Sequence, residues 1–148
     1  MFDTLYSQIG TAIGVVIVTF AFLKGDEPER IGGGIYALGA LASLLVQEET
    51  RLYGSQWSLM GLDVILLVAY ADVAWKSRRS WPVWASASQS LIVMIHVVTV
   101  IDVRPPLVAF YAVINLATYG ILLALALGVL QSLRDRGLAG IEQDPRTG

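Results

Sequence analysis

No cysteine occurs among the 148 residues, there is a single histidine, and charged residues make up only 15% of the chain. The first absence excludes disulfides, iron–sulfur clusters, thiolate zinc sites and cysteine nucleophiles together, and leaves the redox compartment undetermined. One histidine and a carboxylate at its level are too few ligands for a closed zinc site, and no second histidine or attachment motif points to haem. No metal and no other cofactor is expected. An ordinary soluble domain carries about 25% charged residues. Here 55% of residues are hydrophobic and the mean hydropathy is +0.64, too apolar for a chain this short to turn inward. Ten Lys and Arg against twelve Asp and Glu give no basic footprint for nucleic acid. HExxH, GxSxG and paired-carboxylate signatures are also missing, so an enzyme is the least favoured class.

What the sequence does contain is long apolar runs. A membrane-crossing helix needs about 20 mostly apolar residues, and five such stretches can be read at 4–23, 31–46, 57–75, 82–101 and 107–130. Between them lie KGDEPER (24–30), QEETRLYGSQ (47–56), KSRRSW (76–81) and DVRPP (102–106), charged or proline-bearing segments that suit connections at a membrane surface. The expected fold is therefore all-α, a polytopic membrane bundle of five transmembrane helices filling residues 1–131. Residues 132–148 are polar, with Gly and Pro, and read as a flexible cytoplasmic tail.

Orientation follows the positive residues of short loops. Eight fall on one side (Lys24, Arg30, Lys76, Arg78, Arg79, Arg134, Arg136 and Arg146) and two, Arg51 and Arg104, on the other. That asymmetry predicts an outside N-terminus and a cytoplasmic C-terminus. The leader MFDTLY has an acid and no Lys or Arg, so the first span reads as an anchor rather than a signal peptide. Tyr6, Tyr53 and Trp57 fall near the outer surface and Trp75, Trp81 and Trp84 near the inner one, as interfacial aromatic rings prefer.

The passage RSWPVW (79–84) resembles short, uncharacterised multi-span membrane proteins of alphaproteobacteria, which carry a similar basic-Trp-Pro-x-Trp passage leading into a helix. The resemblance covers spans three to five, about half the chain. It implies a bacterial inner membrane and brings no activity or binding residues.

Ionisable residues inside a span are costly and mark functional or structural sites. Asp63 and His96 are the two here; at about 1.5 Å rise per residue they lie roughly 5 and 6 Å outside the midpoints of their spans. Asn115 falls within about one turn of the same height, and Thr11 and Ser43 near it. On span four, Ser86, Gln89, His96 and Thr99 share a face, and on span five Tyr111, Asn115, Thr118 and Tyr119 do so. These stripes read either as a wet seam or as interhelical hydrogen bonds worth about 0.6 kcal/mol each, and packing is the more ordinary reading. An Asp beside a His would suit a proton relay, since imidazole titrates near physiological pH. Asp72 lies on the opposite face from Asp63 and is expected to pair with Lys76, one turn on. Asp102 and Arg104 fall in the outer headgroup zone.

Small residues point to close packing: Gly10 and Gly14 in span one, Gly39 and Ser43 in span two. They can serve contacts within one bundle, a second copy or a partner. The run Gly32-Gly33-Gly34 has no adjoining Lys-Ser/Thr and is no phosphate loop. Together these features favour an accessory or scaffold subunit of an inner-membrane assembly, a lipid-embedded protein with a membrane-protein partner or a homo-oligomer, with Lys76, Arg78 and Arg79 as a cytoplasmic basic loop. The alternative is a small oligomeric transporter or channel coupled to protons through Asp63 and His96.

Overall fold

The computed structural model describes residues 5–53, 56–101 and 106–142. Asp102, Arg104 and Arg146 lie outside the described residues. Five helices follow one another: α1 (Leu5–Lys24), α2 (Glu27–Tyr53), α3 (Gln56–Ser77), α4 (Trp81–Val100) and α5 (Leu107–Glu142). Each packs on its neighbour in the chain, most extensively α4 on α5, and α1 closes the ring against α5.

The first connection is much shorter than the charged segment 24–30 suggests, because Asp26-Glu27-Pro28-Glu29 starts a helix. The Glu29 carboxylate reaches back to accept the Asp26 N–H at 3.0 Å, the reciprocal half of a capping box. Pro28 stands in the first turn, where no N–H is needed. Only Gly25 and Asp26 remain between the helices. A side chain at Gly25 would stand 2.5 Å from the Ala21 carbonyl oxygen, which is why the turn can be so tight. The segment 47–56 is likewise helical as far as Tyr53.

At the other end of the chain, α5 continues past Gln131 to Glu142, where composition suggested a flexible tail from 132. Ser132 is buried and Leu133 packs against the core. Arg136 donates back to the Ser132 carbonyl at 3.3 Å. These contacts carry the helix on. At 36 residues and about 1.5 Å per residue, α5 outlasts a hydrocarbon layer of about 30 Å.

The core is built from Ala21, Tyr70, Val73, Trp81, Ala85, Ile92, Ala117, Ile121, Ala124, Leu125 and Val129. Alanines at the contacts let helix backbones approach, as membrane bundles require. Trp81 is the exception in size, and it fits because a Cβ at Gly32 or at Gly128 would collide with its indole. The outside is apolar as well: Val16, Leu38, Val68, Met94, Leu116 and Leu123 are all exposed, the pattern of helices whose surroundings are hydrocarbon.

Three helical stretches, Trp57–Ser77, Trp81–Val100 and Val108–Ala139, are long and apolar enough to cross a membrane. This marks a membrane helix bundle. The apolar part of α1, Gln8–Lys24, is shorter, and α2 carries Glu27, Glu29 and Arg30 at one end and Glu48, Glu49 and Arg51 at the other.

Candidate functional site

Asp63 on α3 and His96 on α4 meet: Nε2 of the imidazole lies 3.1 Å from Oδ2 of the carboxylate. Gln89 stands two turns before His96 on the same face of α4 and donates from Nε2 to Asp63 Oδ1 at 3.0 Å and to the Asp63 carbonyl at 3.3 Å. Both carboxylate oxygens are thus engaged by one face of α4. Gln89 and His96 are 2% and 6% exposed. In so dry a setting a hydrogen bond is stronger than in water, and a missing one more costly. The ring of Phe110, from the first turn of α5, stands nearly perpendicular to the imidazole with centroids 5.6 Å apart. A proton at this contact can reside on the imidazole, giving an ion pair, or be donated from neutral Nε2–H to the carboxylate, with Nδ1 as the second position on the ring.

The other members of the two stripes are elsewhere. Asn115 is exposed, as are Tyr111 and Tyr119, so α5 adds no polar side chain from that stripe to the Asp63 cluster. Ser86, Thr99 and Thr118 each donate at 2.8 Å to a carbonyl of their own helix, those of Pro82, Ile95 and Ile114. Such bonds satisfy a hydroxyl in an apolar setting without a partner helix. The polar contact therefore bridges α3 and α4, not α4 and α5.

The small residues face inward. A Cβ at Gly10 would lie 3.0 Å from the Tyr119 hydroxyl, one at Gly14 3.2 Å from the Tyr36 hydroxyl, and one at Gly39 2.7 Å from Leu66 Cδ1. Ser43 is half-buried on α2. Gly10, Gly14 and Gly39 are thus spent on contacts within the bundle.

The basic loop divides three ways. Lys76 meets Asp72 at 2.8 Å on the open surface, worth about 0.3–0.5 kcal/mol for such a pair. Arg78 is exposed, in the left-handed backbone region at φ 52°. Arg79 turns inward instead, donating to Asp26 Oδ2 at 2.9 Å, with Glu29 Oε1 at 3.7 Å and Asp135 Oδ2 at 3.8 Å. Glu29 is fully buried and accepts the Trp81 indole N–H at 2.7 Å. Arg136 of α5 approaches Asp26 Oδ1 at 3.6 Å and contacts the Lys24 carbonyl. This second cluster joins the α1–α2 turn, the start of α4 and the C-terminal part of α5. Sequence reading took 24–30 for a surface connection and missed this cluster; the D-x-x-E spacing at 26–29 is the signal that could have found it.

Among the described residues, no group of three or more His, Asp or Glu side chains could hold a metal ion. Comparison with family models, curated proteins and solved structures finds no match.

Proposed function

We propose that this chain is a small integral protein of a bacterial inner membrane, crossing it five times with the N-terminus outside, and that it acts as a proton-coupled transporter or channel component. The observation that carries the reading is the 3.1 Å contact between Asp63 and His96, inside two helices that are each long and apolar enough to cross a membrane. An acid hydrogen-bonded to an imidazole inside a span is an arrangement through which a proton can be handed from one group to the other. The five-span orientation draws support from the second cluster: Lys24, Arg79 and Arg136, all counted on the cytoplasmic side, come together at one end of the bundle.

The test is proton flux into liposomes holding the purified chain and an internal pH dye. The wild-type protein dissipates an imposed pH gradient, and Asp63→Asn and His96→Gln slow it to the rate of empty vesicles. Wild-type flux no faster than that of empty vesicles would sink the reading.

A second reading, an accessory subunit of an inner-membrane assembly, is favoured by a different feature. Helix α5 runs beyond the thickness of the hydrocarbon with Arg134 and Leu138 exposed, a surface that a partner could cover. Native mass spectrometry after gentle extraction separates the two: stoichiometric association with an unrelated membrane protein supports the subunit, and a bare chain or homo-oligomer supports the transporter.

A further inference from the structure

Exposure falls along a line of side chains at the end of the bundle where α4 stops and α5 begins. Tyr111 is 59% exposed, Phe110 is half-buried and His96 is 6% exposed. Phe110 touches both neighbours edge-on, with ring centroids 5.6 Å from Tyr111 and 5.6 Å from His96. Its backbone is fixed in the opening turn of α5, where its N–H donates to the Pro106 carbonyl at 3.1 Å. His96 lies four residues before the end of α4, only about 6 Å in at 1.5 Å per residue. The imidazole is thus shallow by position yet dry by contact.

We infer that Phe110 is an aromatic plug that controls the access of water, and hence of protons, to the Asp63–His96 pair from the α4–α5 end; this rests on the reading of that pair as the proton-exchanging site. The chemistry behind it is simple. A water is retained where it finds two to four polar partners and room for itself. The pair supplies the partners, namely the imidazole and the Asp63 carboxylate, while the Phe110 ring takes up room beside the imidazole. Gln89 holds the other carboxylate oxygen from two turns earlier on α4, and Phe110 has no side-chain donor or acceptor, so truncating Phe110 changes access without removing a hydrogen bond of the pair.

Because His96 is the sole histidine, nitrogen-15 labelling of histidine gives one pair of ring-nitrogen signals, and exchange of the ring N–H with water can be followed in lipid nanodiscs. Phe110→Ala is expected to speed that exchange by about tenfold, equivalent to about 1.4 kcal/mol in the opening equilibrium. Phe110→Leu, which keeps most of the bulk, stays near wild type, and Phe110→Val falls between. The Nε2 signal reports whether the contact with Asp63 survives in each variant. Exchange in Phe110→Ala equal to wild type, or rates that do not follow side-chain size across the three variants, would overturn the plug.

The liposome assay keeps the two ideas apart. Flux that depends on Asp63, with exchange unchanged in Phe110→Ala, removes the plug and leaves the proton reading. Faster exchange in Phe110→Ala from a chain without proton flux keeps the plug as the barrier over His96 and removes the proton reading.

Discussion

The indole N–H of Trp81 donates at 2.7 Å to the carboxylate of Glu29, and the two residues are 2% and 0% exposed. That bond fastens the start of α4 to the first turn of α2. The same carboxylate also closes the Asp26 cap and faces the Arg79 guanidinium, so three segments meet at one buried charge. A buried carboxylate is tolerated only when its partners are complete.

Trp81→Phe should therefore remove one donor while keeping most of the ring, at a cost of about 1–3 kcal/mol for an acceptor left short of a partner. Trp81→Ala should cost more, about 3–5 kcal/mol, because it also empties the space between Gly32 and Gly128. Thermal or denaturant unfolding in detergent measures both. Equal stability of the two variants would mean that the hydrogen bond and the packing do not contribute as described.

The packing glycines separate fold from assembly. Gly39→Leu has to place a branched side chain where even a Cβ would lie 2.7 Å from Leu66, and overpacking of this kind costs about 1–3 kcal/mol or more. A lower unfolding temperature with an unchanged particle mass is the expected result. A changed oligomeric state at unchanged stability would return Gly39 to the outer surface of the bundle.

Asn115 and Gln89 make a matched pair of opposite sign. Gln89→Leu strips Asp63 of a donor to one carboxylate oxygen and to its carbonyl, for about 1–3 kcal/mol. Asn115→Leu replaces an exposed amide by an apolar group and should be neutral or stabilising in lipid, where polar groups are costly. Unfolding of the two variants in one lipid mixture checks the order, and a larger loss at Asn115 would contradict the rotation of α5.

That contrast marks where the sequence ran out. Hydropathy locates the apolar part of each helix along the chain, and rise per residue puts Asp63, His96 and Asn115 at similar depth, because both depend only on position. Rotation about the helix axis is a separate coordinate. In a soluble helix an apolar stripe reveals it, but α3, α4 and α5 expose Val68, Met94 and Leu123 to the surroundings and bury Val73, Ile92 and Leu125, so apolar residues occur on both faces. His96 consequently faces Asp63 while Asn115 at a similar level points outward. Charge misled in another way: the acids of 26–29 looked like a loop, although their spacing is that of a helix start.

Beyond Gln131, helix α5 is held by ion pairs as well as by the packing of Ser132 and Leu133, and the ion pairs give its end a salt dependence. Arg136 approaches Asp26 and the Lys24 carbonyl, and Asp135 faces Arg79 at 3.8 Å. Arg136 and Asp135 are themselves more than half exposed, so each pair contributes little, about 0–1 kcal/mol, and is screened by salt. The screening length is about 10 Å at 0.1 M and about 3 Å at 1 M. Backbone amides past Arg136 should thus exchange hydrogen faster in 1 M salt, and faster still in Arg136→Ala at low salt, while amides of the buried stretch around Leu125 and Val129 keep their protection. Hydrogen exchange read by mass spectrometry resolves the two regions. If high salt and Arg136→Ala both left the end of α5 as protected as before, apolar packing through Leu133 rather than the ion pairs would be what holds it.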